Sequence, residues 1–294
     1  MLFLVMLAAA CVIWLVVVGV SLHAVRTRRN TISERAGGRL ILWGGGIFPV
    51  VVLLGLVVYG LMLMPQLRRQ ADGPTIAISA ERFWWRIRYD VEAEPGVGRT
   101  LPRGGVEGAN ELWLPVGRRS TLLISSPDVI HSFWVPAIAG KVDAIPGRVN
   151  RLVVEPMREG VYNGICAEFC GEAHAQMGFR VVVAPEADYE AHVAAMAEPA
   201  GSADHPGLTA FLKAGCGACH AVRGTDAGGK VGPNLTHVGA RRTIAAGLLP
   251  VATGSMADFV RAPDHLKPGV EMPAFGMLAD DEIEAIAAWL EGLK

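Results

Sequence analysis

Two short stretches hold the residues that can do redox chemistry. The first is Cys166–Met177, CAEFCGEAHAQM, which reads Cys-x3-Cys-x3-His-x2-Met. It gathers two thiols, an imidazole and a thioether. Thiolate and thioether are soft donors, and with imidazole they suit copper better than magnesium or calcium. Two cysteines four apart also fit a disulfide or half of a zinc site. A structural zinc takes four nitrogen or sulfur ligands in a closed tetrahedron, usually without Met, so Met177 is informative. A further His is expected from elsewhere, and His131 is well placed. The second stretch is Cys216-Gly217-Ala218-Cys219-His220, the attachment pattern of c-type haem. Its cysteines bond to the haem vinyl groups and His220 becomes the proximal iron ligand. Cys-x-x-Cys alone also serves redox and zinc sites, so the flanking sequence has to support the reading.

The Cys166–Met177 stretch, taken with His131 in DVIHSFWVPAIAGKVDAIPGRVN, resembles subunit II of cytochrome c oxidase in its dinuclear copper (CuA) domain. The resemblance implies that Cys166 and Cys170 bridge two copper ions. It implies that His131 and Met177 complete one copper, and His174 and the backbone carbonyl of Glu168 the other. It further implies that the Glu168 side chain reaches a magnesium at the interface with subunit I. Phe83-Trp84-Trp85 matches the family's aromatic run over the copper centre that serves electron intake, with Phe83 where the family often has Trp. A Phe there departs from the usual route and suits a tethered donor. Asp143 and Arg148, in KVDAIPGR, match positions near the donor-docking and subunit I faces. An ordinary loop carboxylate, core aromatics and plain surface residues are the alternative readings of these positions.

Residues 205–294 resemble a class I cytochrome c over nearly their whole length. Leu208–Gly215 can form a helix leading into the haem motif, and Gly232-Pro233-Asn234-Leu235 follows at the family's spacing. Met272, before Pro273, matches the second iron ligand. Met277 and Met256 are the other candidates, Met256 being read as a packing residue ahead of a helix. His237 and His265 are expected at a haem propionate or on the surface. Ala279–Leu293 reads as an amphipathic helix opened by Asp280, Asp281 and Glu282, which suit a helix N-terminus, with Trp289 on its apolar face.

Other elements must hold these residues. Residues 75–183 contain short segments rich in β-branched and aromatic residues and bounded by Pro, Gly or Asp: TIAISAERFWWRIRYD, NELWLPVGRRSTLLISS, DVIHSFWVP, RVNRLVVEP and GFRVVVAP. Such segments read as strands of a sandwich or barrel, which the resemblance makes cupredoxin-like. Residues 186–197 read as a short helix with His192 facing solvent, and 198–206 as a small, polar linker.

The N-terminus reads as membrane. Residues 1–22 and Leu40–Met64 carry no charged side chain, and each is long enough to cross about 30 Å of hydrocarbon. The first could be a cleaved signal peptide, but it lacks a basic start and its apolar run is long; a retained helix is expected. Between them Arg26, Arg28, Arg29, Arg35 and Arg39 face one acid, Glu34. The positive-inside rule puts this loop in the cytoplasm and the rest of the chain on the far side, though Arg68 and Arg69 oppose this slightly. Gly44–Gly46 and Pro49 suggest close packing or a bend. Cys11, in the first apolar run, is expected to be an inert buried thiol.

The expected architecture is thus a multidomain membrane protein. Residues 1–70 form a transmembrane hairpin with helices at about 2–24 and 40–64. Residues 71–185 form an all-β cupredoxin-like CuA domain, 186–204 a short helix and linker, and 205–294 an all-α cytochrome c domain. Net charge is −1, so no nucleic-acid partner is indicated. No phosphate-binding glycine loop, nucleophile or acid–base pair stands out. The resemblance implies a subunit of a haem-copper oxidase in a bacterial inner membrane, with copper and haem on the periplasmic side. Two copper ions and one covalent haem c would pass electrons to haem in subunit I, where oxygen is reduced and protons are pumped; this chain alone would not reduce oxygen. Subunit III, and a cytochrome c or upstream cytochrome complex as donor, are the further partners implied. The rival readings are the electron-intake subunit of a CuA-containing nitric oxide reductase and a stand-alone membrane-anchored electron carrier. A quinol oxidase lacks the copper ligands seen here, and a nitrous oxide reductase needs a second, His-rich copper domain.

Overall fold

The computed structural model describes residues 2–27, 33–67, 71–92, 99–200 and 205–294. Arg28, Arg29, Arg68 and Arg69 of the expected charge pattern, and residues 201–204 of the expected linker, lie outside them. The chain divides into two units, Met1–Arg69 and Gln70–Lys294.

The first unit contains two helices long and apolar enough to cross a membrane. Helix α1 spans Leu2–Thr27. The second runs without interruption through α2 (Glu34–Leu40), a π-helical stretch (Ile41–Ile47) and α3 (Phe48–Leu67). It starts earlier than the uncharged run indicates. Ser33 caps it, its hydroxyl accepting the Ala36 N–H at 3.4 Å, and Glu34 lies in the first turn, where a negative charge meets the positive end of the helix dipole. The three glycines form the wide π turn, closed by the Phe48 N–H on the Trp43 carbonyl. Pro49 follows, with no N–H of its own to place. Cys11 lies on α1 and is exposed in the isolated chain.

The second unit holds two apolar cores. The first lies between two five-stranded sheets. One has the order β3–β2–β1–β5–β8, built from β1 (Thr75–Glu81), β2 (Trp84–Tyr89), β3 (Val106–Ala109), β5 (Ser120–Ser125) and β8 (Asn150–Val154). The other has the order β4–β10–β9–β6–β7, built from β4 (Glu111–Pro115), β6 (His131–Trp134), β7 (Val142–Ala144), β9 (Gly160–Cys166) and β10 (Gly178–Ala184). Strands β1 and β5 pair in parallel, as do β10 and β4. Three strands are absent from the expected set. β3 and β7 are very short, and β9 (GVYNGIC) carries Gly and Asn, which weaken any strand signal.

Trp85, fully buried, is the hub of this core. Its ring lies 4.9 Å from Phe179 and 5.8 Å from Phe133, and those two are 4.9 Å apart. Such aromatic contacts add about 0.5–1.5 kcal/mol each beyond area burial. The cluster requires Gly164: a Cβ there would come within 2.1 Å of the Phe179 ring. Gly164→Ala is therefore expected to displace Phe179 and destabilise the chain by about 1–3 kcal/mol. Thermal unfolding of the variant measures this.

Helix α4 (Glu186–Ala197) follows, with the expected bounds. His192 on it does not face solvent: its ring stacks on Trp113 at 3.9 Å and 11°, and burial pushes its imidazole down to about 4, so it is neutral. The second core is closed by α5 (Pro206–Lys213), α6 (Thr253–Arg261) and α8 (Asp280–Gly292), with α8 packed on both α5 and α6. A two-residue hairpin, β11 (Thr243–Ile244) and β12 (Leu249–Pro250), and the short α7 (Pro263–Leu266) complete this domain. The described start of the linker is tied down rather than free. Ala200 donates to the Arg223 carbonyl at 2.9 Å, and Arg223 donates back to the carbonyls of Met196 and Glu198.

Candidate copper and haem centres

The copper-type donors converge at one end of the sandwich. His131 opens β6, Cys166 ends β9, and Cys170, His174 and Met177 lie on the loop that leads to β10. The Cys166 and Cys170 sulfurs are 3.9 Å apart and both are free. His131 Nδ1 lies 3.9 Å from Cys166 Sγ, His174 Nδ1 3.6 Å from Cys170 Sγ, and Met177 Sδ 3.8 Å from Cys170 Sγ. The Glu168 carbonyl lies 3.2 Å from Cys166 Sγ. His131, Cys166 and Cys170 form a buried cluster able to hold a metal. A soft set with a buried thioether suits copper and not a closed zinc tetrahedron.

The surroundings fix these donors. His131 Nε2 donates to Asp128 Oδ1 at 2.8 Å, which leaves Nδ1 as the free donor on the cysteine side. Asp128 is in turn held by the backbone amides of Arg82 and Val129 and the Ser126 hydroxyl. It stands three residues before His131 in SSPDVIH, and the sequence reading missed it, although an acid at that spacing is the signal for an orienting partner. The Met177 carbonyl accepts both the Cys166 amide at 3.0 Å and the Trp85 indole N–H at 3.4 Å. The aromatic hub thereby anchors the last ligand.

Burial opposes the charged forms here, and partners decide the balance. For His131 burial is outweighed by Asp128 and Cys166, so its pKa is raised. Asp128 falls to about 2 despite burial, because His131 and two amides stabilise its carboxylate. Burial and the neighbouring Cys166 charge push the Cys170 thiol up to about 12, whereas at Cys166 burial is outweighed by the His131 bond together with the Glu168 and Ser132 backbone, so its pKa is lowered. A metal must displace the protons of the higher-pKa groups. Copper uptake is therefore expected to tighten as pH rises from 6 to 8, by roughly tenfold per pH unit for each proton released. A titration of the copper-free chain at several pH values checks this.

The haem-type residues also converge. Cys216, Cys219, His220 and Met272 all line one cavity of about 290 Å³. His220 Nδ1 donates to the Pro233 carbonyl at 2.8 Å, which leaves Nε2 for iron. Burial keeps the imidazole pKa below its usual value, favouring the neutral form that ligates metal. A Cβ at Gly232 would strike the His220 ring at 2.6 Å, so the GPNL turn cradles the ring closely. These features fit a covalently held haem. Met256 lies within α6, not ahead of a helix, and is buried at 3% exposure beside the same cavity. Met277 is 78% exposed and not on the cavity wall. His265 is exposed as expected. His237 is half-buried, its Nε2 donating to the Glu198 carbonyl at 3.1 Å in an exposed contact with the linker.

The cavity has a second wall, from the copper domain. Arg82, Phe83, Trp84 and Asn110 line it. Phe83 also reaches the copper loop, its ring 2.9 Å from where a Cβ on Gly171 would stand. Trp85 and Phe83 are both core residues, and Phe83 and Trp84 also line the cavity. Trp84 carries the Arg86 guanidinium over its ring at 4.6 Å, and Arg86 donates to the Lys230 carbonyl across the domain boundary at 2.9 Å. Further cross-boundary bonds join Arg242 N–H to Glu111, and Gly178 N–H to the Ala246 carbonyl. The domains are docked, where the sequence suggested a flexible tether. Asp143 accepts from Ser132 and Lys141, Arg148 is exposed, and Glu168 is exposed with its carboxylate 3.7 Å from Lys141.

Comparison with known proteins identifies both domains. Residues 99–184 match the family described as cytochrome c oxidase subunit II, periplasmic domain, and residues 205–294 match the cytochrome c family. A cytochrome c oxidase subunit 2 of Alkalihalophilus pseudofirmus is 34% identical over 74% of this chain, and the chain spans 61% of that relative's length. One of Bacillus subtilis is 27% identical over 92% of this chain and 79% of its own length. A crystal structure of the periplasmic domain of cytochrome oxidase subunit II from Bradyrhizobium japonicum is 30% identical over 44% of this chain and 95% of that one, with a TM-score of 0.36. The subunit II domain implies copper, and the cytochrome c domain implies haem. The chain belongs to the cytochrome c oxidase subunit II family, in the form that carries a cytochrome c domain at its C-terminus.

Proposed function

We propose that this chain is subunit II of a haem-copper cytochrome c oxidase, taking electrons at its own haem c and passing them through CuA to haem in subunit I. The observation that carries the route is the shared cavity: Cys216, Cys219 and His220 on one wall, Phe83 and Trp84 of the copper domain on the other. When bound, the haem and the two coppers each carry one electron at a time. Phe83 spans from the haem cavity to the Cys170–Gly171 segment, which gives an electron a short path through protein. His131, Cys166, Cys170, His174, Met177 and the Glu168 carbonyl would hold the two coppers. Cys216, Cys219, His220 and Met272 would hold the haem. A Met/His pair raises a haem's potential, which suits a respiratory donor, either a cytochrome c or an upstream cytochrome complex. Two-pass anchoring in a bacterial inner membrane would place both centres in the periplasm.

Subunit I would dock on the copper loop, where Phe169 is 77% exposed and Ile130 and Ile165 are exposed nearby. Exposed Glu168 on that loop would reach a magnesium shared with subunit I, with Asp143 and Arg148 on neighbouring surface. Oxygen reduction and proton pumping would belong to subunit I, with subunit III alongside. The test is purification of the full chain from membranes with its associated proteins. Two coppers with a mixed-valence signal, one low-spin haem c and a co-purifying multi-span haem subunit are expected. A haem-loaded chain without a dinuclear copper signal, or without a multi-span haem partner, would overturn the reading.

A further inference from the structure

Lys267 is a buried amine at the boundary between the two domains, 2% exposed, directly after α7, and burial pulls its pKa down to about 7. It donates across the boundary to the Phe83 carbonyl at 2.6 Å and, within its own domain, to the Ala245 carbonyl at 3.1 Å. No carboxylate pairs with it among the described residues. A buried polar group is costly unless hydrogen-bonded, and here two main-chain carbonyls accept from it. Both lead to the copper loop. Phe83 abuts Gly171, next to Cys170. Ala245 precedes Ala246, whose carbonyl holds the Gly178 amide, next to Met177. Ala245, Ala246 and Gly247 all have left-handed backbones, with φ of 52°, 62° and 86°. Two consecutive alanines there are strained and persist only where their surroundings hold them.

We propose that Lys267 is an interdomain latch: a positioning residue that pins the Phe83 backbone and the 245–247 turn, so that the haem domain docks on the copper loop in one geometry. It also lines the haem cavity, but it is not one of the assigned ligands; it acts through Phe83 and the Gly178 contact. The bond to the Phe83 carbonyl is short, and one amine with two acceptors fixes both segments at once. That the latch sets electron transfer rests on the haem-to-copper route above; that it holds the domains together does not.

The test uses the full chain with Lys267→Met, which keeps the apolar stem and removes both bonds. Amide hydrogen exchange reads docking with or without cofactors. Exchange at Gly178 and Arg242, whose amides cross the boundary, is expected to accelerate at least tenfold. In the loaded chain, haem-to-copper transfer after rapid photoreduction of the haem is expected to slow at least tenfold, with both centres' spectra unchanged. Lys267→Gln, able to reach at most one carbonyl well, should fall between, and serves if the Met variant does not fold. Unchanged exchange overturns the latch, even where transfer slows, since the effect would then be one of charge alone. Faster exchange with unchanged transfer overturns the claim that the latch sets the rate. A wild-type chain with no haem-to-copper transfer overturns the electron route instead, while the exchange measurement still decides the latch.

Discussion

Cys170→Ser is expected to abolish the dinuclear copper centre while leaving the haem intact. The Cys170 sulfur stands within 4 Å of the three other donor atoms around it: Cys166 Sγ, His174 Nδ1 and Met177 Sδ. No other side chain described here touches all three. Serine offers a hard oxygen on a hydroxyl that stays protonated, and soft thiolate is what distinguishes this set from a generic site. Loss of a mere supporting residue around a metal costs about 10–100-fold in affinity, so loss of a proposed direct ligand should exceed 100-fold. The expected readout is a copper count that falls from two to one or none, with no mixed-valence signal. Burying a hydroxyl in place of the thiol costs a further ~1–3 kcal/mol if it finds no partner, so the variant's melting temperature should be measured alongside. Cys216 and Cys219 lie on the haem cavity, and the haem spectrum should not change. Retention of a two-copper, mixed-valence centre in Cys170→Ser would refute the ligand assignment.

Much of this site is legible in the sequence because it is local. The Cys-x3-Cys-x3-His-x2-Met spacing fits one loop, and Cys-x-x-Cys-His fits one turn. His131 is distant in sequence and is found through resemblance, not spacing. The supporting residues are less visible. Asp128 could have been read from its position before His131, but nothing in DHLKPG marks Lys267 as buried, since that depends on another domain covering it. The same cause explains His192, which looks like a solvent-facing residue until Trp113 stacks on it. The linker misled for a related reason. Its small, polar composition reports a lack of intrinsic structure, not the hydrogen bonds that Arg223 makes to it. Strands β3, β7 and β9 were hidden because short or glycine-bearing segments gain strand form from their neighbours rather than from their own propensity.

Met272→Leu is expected to lower the haem potential and starve the chain of electrons. Three methionines compete for the iron, and the fold puts Met256 and Met272 on the cavity wall and Met277 off it. Met277 is too exposed to reach it, and Met256 is packed in the core of α6 as well as beside the cavity. Met272 lines the cavity in the loop before α8, ahead of Pro273. Axial ligands tune haem potentials over roughly 0.8 V, so losing a thioether should shift this one by at least ~0.1 V. At 59 mV per tenfold for one electron, a 0.12 V fall makes the haem about a hundredfold poorer acceptor from a fixed external donor. It also makes the haem a stronger donor to copper. The two effects separate in experiment: reduction by the external donor should drop, while haem-to-copper transfer after forced photoreduction should persist. Met277→Leu should leave the potential where it was. Met256→Leu should cost less than ~1.5 kcal/mol of stability as a volume-conserving swap and leave the low-spin spectrum intact. If Met256→Leu or Met277→Leu lowers the potential and Met272→Leu does not, the sixth ligand is wrongly placed, and the loop before α8 serves packing alone.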